Sequence, residues 1–193
     1  MKIVRDLWQE TIWRPTVVTF GVFDGVHLGH QRILRTVVER ARALGVTPTV
    51  ITFDPHPRQV LRPETAPPLL QTLEQRVEAF AELGVEQVIL MRFTRELAAV
   101  SAEDFLLTYV FGRLDARELY LGKGAAFGRD RQGRIDLAVE VAARLGRRAM
   151  EIEEVTLRGH RVRATTIRRL LRTGRVNPVS YTHLRAHETP EHL

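Results

Sequence analysis

The chain is predicted to fold as an α/β protein, a doubly wound parallel sheet wrapped by helices on both faces. Three observations predict it. Apolar or β-branched runs of strand length alternate with stretches of helical period along almost the whole sequence. Several of the helical stretches stop at a glycine, the residue that caps a helix C-terminus in the left-handed region. At 193 residues the chain is long enough to bury one sizeable core, and with no cysteine it has no disulfide framework to replace one. Strict strand–helix alternation gives a parallel sheet whose ligands bind beyond the carboxyl ends of its strands.

Taken in order, the first strand covers Val17–Phe20 and at its longest reaches Phe23; the loop after it holds Gly21, Asp24 and Gly25, and an amphipathic helix spans His30–Leu44. Strand Thr49–Phe53 follows, then a proline-rich loop, Asp54 to Pro57, and helix Leu73–Leu83. Strand Gln87–Phe93 leads to helix Ala102–Leu114, for which Ser101 and Asp104 form a capping pair. Strand Glu118–Leu121, a glycine-rich loop, helix Asp136–Leu145, strand Ala149–Val155 and helix Thr166–Arg172 complete the alternation. Gly45, Gly84, Gly146 and Gly174 each stand just past a last helical turn.

The run GVFDGVHLGH, Gly21 to His30, carries most of the functional information. Strand, glycine loop and helix start make an anion site, because unpaired backbone N–H groups and the positive end of the helix dipole converge there. A phosphate is the expected guest. His27 and His30, three residues apart, share one face of the first turn, and Gly29 between them leaves room for a bulky ligand at the backbone, while Leu28 packs on the other side. The competing readings are capping or surface histidines, or half of a zinc site that only His56 or a carboxylate could complete.

At this run the chain resembles the H-x-G-H nucleotidyltransferases related to class I aminoacyl-tRNA synthetases. The longer form FDGVHLGHQ is similar to the FMN adenylyltransferase module of bacterial bifunctional riboflavin kinase/FAD synthetases. TFDPHP, Thr52 to Pro57, is similar to that family's T-F-E-P-H-P element, with Asp54 in place of glutamate. LRPETAPPLL resembles its linker, LGVEQVIL the strand after it, GRDRQG part of its glycine-rich loop, and TTIRRLLRTGRV its S-S-T-x-I-R-x-x-L-x-x-G-x-V helix. The resemblance covers about Val17 to Val176 and implies a Rossmann-like sheet of the H-x-G-H type. It also implies adenylyl transfer from ATP, with Mg²⁺, to FMN, giving FAD and pyrophosphate.

Site residues follow from the same likeness. His27, His30 and Arg168 are implied to be catalytic. ATP would meet Gly21, Phe23, Asp24, Gly25, His27, Gly29, His30, Thr165 and Arg168, and FMN would meet Asp54, Pro55, His56, Pro57, Lys123, Phe127 and Arg129. Asp24 is expected either to order the loop by hydrogen bonds to backbone or to help place the metal, whose ligands the sequence does not name. Two departures stand out. Lys123, Gly124, Ala125 and Ala126 lack the acidic or amide side chain and one aromatic of the family's G-x-D/N-F-x-F-G pattern, and Arg163 and Ala164 replace its two serines.

Read from the residues alone, the glycine-rich loop Leu121–Gly133 can bend round a ligand, and Lys123, Arg129 and Arg131 offer charge to phosphate. Seven arginines, Arg158, Arg161, Arg163, Arg168, Arg169, Arg172 and Arg175, fall between Val155 and Arg175 with no acid among them. A solvated basic face and an RNA-binding patch both fit that run, but no aromatic interleaves the arginines to stack on bases. Ile167, Leu170 and Leu171 make one side of the helix apolar, leaving Arg168 near a start that also carries the hydroxyls of Thr165 and Thr166, a second phosphate cradle. The net charge of +6 suits phosphate substrates as well as nucleic acid, and nucleic acid is not the expected partner.

Domain 1–178 is therefore expected to be the FMN adenylyltransferase unit, and 179–193 a non-native or disordered tail in which His183, His187 and His192 form no site. No riboflavin kinase domain is expected within these residues. Neither a signal peptide nor a long apolar run is present, so a cytoplasmic protein without membrane contact is expected. The alternatives are a related H-x-G-H nucleotidyltransferase acting on another phosphate acceptor, or a catalytically impaired flavin- or RNA-binding regulator.

Overall fold

The structure is a computed structural model and describes residues 1–157 and 160–174. Arg158, Arg175 and the predicted tail, with its three histidines, lie outside the described residues. Strand β1 (Lys2–Val4) and β2 (Thr16–Phe20) precede helix α1 (Leu28–Leu44), β3 (Thr47–Asp54), the short α2 (Pro57–Leu61), α3 (Leu73–Glu82) and β4 (Gln87–Arg92). After α4 (Arg95–Ala98) and α5 (Ala102–Asp104), a π-helical segment, Phe105–Arg113, leads to β5 (Ala116–Gly122), α6 (Ile135–Arg144) and β6 (Arg148–Ile152). A two-residue hairpin, β7 (Thr156–Leu157) with β8 (His160–Arg161), precedes α7 (Ala164–Arg172).

All six strands of the main sheet run parallel, in the order β1-β4-β3-β2-β5-β6. From β2 the chain winds outward through β3 and β4, then crosses back to β5 and β6 on the other side. The predicted doubly wound sheet is thus present, and its direction reverses between β2 and β5. Side chains that alternate along each strand feed opposite faces. Val17, Val50, Val88 and Tyr120 pack under α1 and α3 with Ile33, Leu34, Val37, Val38, Ala41 and Phe80. Val18, Ile51, Ile89, Leu119 and Leu121 pack under the π-helical segment and α6 with Leu106, Val110, Phe111, Ala138, Val141 and Ala142.

Several element boundaries differ from expectation. The first strand stops at Phe20, because Phe23 already has φ 53° and cannot continue an extended chain. Strand β6 ends at Ile152, short of Val155, and the edge strand β1 has no counterpart in the prediction, since three residues carry too little alternation to read. The expected helix Ala102–Leu114 keeps its Ser101–Asp104 cap but loosens into π geometry after one turn. There, a Cβ at Gly112 would come within 2.4 Å of the Leu107 carbonyl oxygen, so only glycine admits that close approach.

A half-buried ionic group ties the sheet to α1. Arg40 donates through Nε and Nη2 to Glu118 at 2.9 and 2.8 Å, and the Tyr120 hydroxyl donates to the same carboxylate at 2.8 Å. The arginine holds the Glu118 carboxyl below its ordinary range, while burial and that carboxylate push the Tyr120 phenol up to about 12. No helix among the described residues is long and apolar enough to cross a membrane.

Candidate active site

The β2-to-α1 connection delivers both histidines to the carboxyl edge of the sheet, beside the β2/β5 reversal where doubly wound sheets hold ligands. Helix α1 begins at Leu28, two residues earlier than predicted, so His27 is its N-cap. Its Nδ1 accepts the backbone N–H of His30 at 3.3 Å, and the two imidazoles stack with centroids 3.7 Å apart and planes 18° off parallel. Capping, one of the competing readings for these residues, is therefore realised at His27 together with their shared position. A neutral imidazole that accepts at Nδ1 carries its proton on Nε2, which fixes the tautomer.

Gly29 lies between His27 and the chain entering α7. A Cβ there would meet the His27 ring at 3.2 Å and the Val162 carbonyl oxygen at 3.5 Å, so the space is filled by His27 and by the chain entering α7. Phe23 is buried, lying edge-on to Phe80 and to His30, and supports the His30 ring from below the surface. Gly25 is buried at φ 88° in the turn between them.

Asp24 is the hub of the site and only 4% exposed. Its carboxylate accepts the N–H groups of Leu70, at 2.9 and 3.1 Å, and Gln71, at 3.2 Å, and it pairs with the Arg168 guanidinium from α7. Arg168 also donates through Nε to the Pro68 carbonyl at 2.8 Å. Of the two roles open to Asp24, the observed contacts are those of loop ordering. Among the described residues no group of three or more histidine, aspartate or glutamate side chains is arranged to hold a metal ion.

His56 caps α2, accepting the Arg58 N–H at Nδ1 at 3.0 Å, in a reciprocal box with Gln59. Burial lowers its pKa from the ordinary value, with Arg168, Arg58 and Arg76 acting in the same direction and Asp24 opposing them. Asp54 is exposed at the end of β3, and Pro55 and Pro57 flank His56 in the TFDPHP loop. Thr165 is exposed in the first turn of α7, whose N-terminus has no side-chain cap.

The glycine-rich loop behaves otherwise. Phe127 is buried, edge-on to Phe20 and near Phe105, and a Cβ at Gly128 or Gly133 would strike Ala102 at 2.5 or 2.6 Å. These glycines let the loop close on the start of α5. Lys123 donates to Glu153 at 2.7 Å, the side chain of Arg129 is exposed, and Arg163 pairs with Glu154. A separate cavity of about 360 Å³ opens at the ends of β1 and β4, lined among others by Trp8, Tyr109, Met91, Leu97, Arg5 and Arg92, and none of the predicted site residues lines it.

Sequence reasoning missed Arg76. This α3 arginine is only 6% exposed and donates through Nη1 to the Val22 carbonyl at 2.6 Å. An arginine on an amphipathic helix reads as part of the solvated face, so no signal in the sequence marks it.

A parallel α/β sheet thus presents two stacked histidines at a helix start on its carboxyl edge, with Asp24 of the same loop paired to Arg168 of α7. Residues 9–166 match the FAD synthetase family, and the chain belongs to it. It is 38% identical over 172 residues to the bifunctional riboflavin kinase/FMN adenylyltransferase of Pseudomonas fluorescens, covering 89% of this chain and 55% of the relative. The corresponding protein of Escherichia coli K12 is 30% identical over 173 residues, with the same shares of each chain. A putative bifunctional riboflavin kinase/FMN adenylyltransferase of Geobacillus thermodenitrificans is 34% identical over 163 residues, covering 82% of this chain and 84% of the relative. The chain thus spans about half the length of the first two relatives.

Among solved structures, macrolide-efflux protein from Streptococcus pneumoniae superposes with a TM-score of 0.77 at 22% identity, over 94% of this chain and 60% of that one. Pantothenate synthetase from Thermus thermophilus gives 0.52 at 16% identity, over 94% and 72%. Both share the fold.

Proposed function

We propose that this chain transfers the adenylyl group of ATP to FMN, forming FAD and releasing pyrophosphate. The observation that carries the reading is the stacked His27–His30 pair at the start of α1, on the loop whose Asp24 pairs with Arg168 of α7. Membership in the FAD synthetase family supports the choice of acceptor.

In this reaction an FMN phosphate oxygen attacks the α-phosphorus and the bond to pyrophosphate breaks. A phosphate monoester is already largely dianionic at neutral pH, its second pKa being about 6, so no general base is required. The chain must align the two substrates and neutralise the charge that grows on the leaving pyrophosphate. His27 and His30 donate to the triphosphate from the α1 N-terminus, and Arg168 turns from Asp24 toward the leaving phosphates. Thr165 and the uncapped N–H groups of α7 bind beside it, and the loop carrying Asp54 to Pro57 covers the acceptor. Mg²⁺ would enter with ATP on its phosphate oxygens, which fits a chain whose Asp24 oxygens are already engaged by backbone N–H groups and arginine.

The test is to incubate protein, ATP and Mg²⁺ with FMN, riboflavin, phosphopantetheine or RNA in parallel, identifying products by mass. FAD and pyrophosphate from the FMN mixture are expected; adenylylation of another acceptor, or none, overturns the reading.

A further inference from the structure

The loop that carries His27 follows a path its own residues resist. Phe23 and Val26 have φ of 53° and 32° on either side of Asp24 and Gly25, and a β-branched residue holds such a conformation only where the surroundings impose it. Three anchors impose it here. The Asp24 carboxylate takes the Leu70 and Gln71 N–H groups, Gln31 donates through Nε2 to the Val26 carbonyl at 3.0 Å, and the Val22 carbonyl receives both the Thr52 hydroxyl at 3.2 Å and Arg76 Nη1 at 2.6 Å.

Arg76 is chemically the odd member of this set. It sits just past the Thr72–Gln75 capping box of α3, more than nine-tenths buried, with its Nε lacking a hydrogen-bond partner. Burying a guanidinium is costly, and well-packed apolar residues generally fill such space at less cost. Burial pushes the pKa of Arg76 below the ordinary arginine value, and the Asp24 and Asp54 carboxylates oppose that shift. The group therefore holds the entry of the H-x-G-H loop at the Val22 carbonyl.

We infer that Arg76 is a positioning residue for adenylyl transfer: by fixing the Val22 carbonyl it sets the loop that presents Asp24 and the His27–His30 pair. The kinetic part rests on the reaction proposed above. A displaced loop leaves ATP able to bind but misaligns the histidines, so the loss falls on kcat rather than on KM.

The experiment compares Arg76→Met, Arg76→Lys and Thr52→Val with wild type, in two arms. In steady state, well below each variant's thermal midpoint, Arg76→Met should lower kcat roughly 10- to 100-fold with little change in KM for ATP, as small misplacements of reacting groups do. Arg76→Lys should recover part of it. Thr52→Val, which removes the second donor to the same carbonyl, should give a smaller loss that does not multiply with the first. In the second arm, without substrate, the imidazole Cε1–H NMR signals of His27 and His30 should shift in Arg76→Met. A lowered midpoint with unchanged kcat and unchanged imidazole signals would overturn the inference, since that is what a merely structural arginine gives. If wild type makes no FAD, the reaction reading fails by itself and the imidazole signals decide the positioning role. If Arg76→Met does not fold, Thr52→Val and Arg76→Lys carry the same comparison.

Discussion

The Nδ1 atom of His27 holds the first turn of α1 by accepting from His30, so truncating the two histidines should have unequal consequences. In the proposed reaction each would remove a charge-assisted hydrogen bond to phosphate worth roughly 1.5 to 3 kcal/mol, hence about 10- to 100-fold in turnover. His27→Ala also removes a helix cap and should cost about 1 kcal/mol of stability, which His30→Ala should not. FAD formation and thermal denaturation, measured on both variants, check the pair of expectations; near-wild-type turnover in both would end their assignment. His56 gives a prediction in pH. Burial depresses its pKa below the ordinary 6.5, so its contribution to stability is complete above 6.5 and is lost as pH falls through the lower folded value, where protonation of Nδ1 also ends the Arg58 cap. An NMR titration should find its midpoint below 6.5. A midpoint at or above that value would contradict the burial argument. At this scale the H-x-G-H pair and Arg168 were legible, because their spacing has a chemical meaning. Arg76 and the occupant of Gly29 were not, because both depend on what distant segments bring alongside.

At the scale of elements, α1 was legible because Ile33, Leu34, Val37, Val38 and Ala41 repeat at helical spacing and Gly45 caps the end at φ 64°. The π-helical segment was not, since its register depends on how Leu106, Val110 and Phe111 reach the sheet. The glycine-rich loop shows how one composition can serve two ends. Its glycines predict a curl round a ligand, yet Gly128 lies against the α5 backbone, whereas Gly124 has open space where a Cβ would go. Both have positive φ, 69° and 72°, so alanine costs about 1 kcal/mol at either on conformational grounds. Gly128→Ala must also push its Cβ away from Ala102 N and Cα at 2.5 Å, contacts made by rigid backbone. It should therefore lose clearly more stability than Gly124→Ala in denaturant unfolding, and equal losses would show that the loop is not packed as described.

For the whole molecule, the sheet class followed from alternation alone, while the strand order and the place of β1 are set by which hydrophobic faces meet, which no local pattern encodes. Helix α7 is joined to the loop before α1 by a contact between residues 144 apart, Arg168 and Asp24. With Asp24 at 4% and the Arg168 side chain at 12% exposure, this ion pair is largely dry, and removing one partner leaves a charge without its counter-ion. Asp24→Asn keeps the size of the side chain but removes the charge. Its cost should be about 3 kcal/mol, concentrated where the contact is made. Of the nine residues of α7 only Ile167 is deeply buried, so this helix has little other hold on the sheet. Amide exchange in Asp24→Asn should accordingly speed up across α7 and at Leu70 and Gln71, while β2, β3 and β5 keep their protection. If the contact also supplies the arginine for turnover, kcat/KM for ATP should fall with it. Unchanged exchange in α7 would mean that the helix is docked by its apolar side alone, and that Asp24 serves only the loop in which it sits.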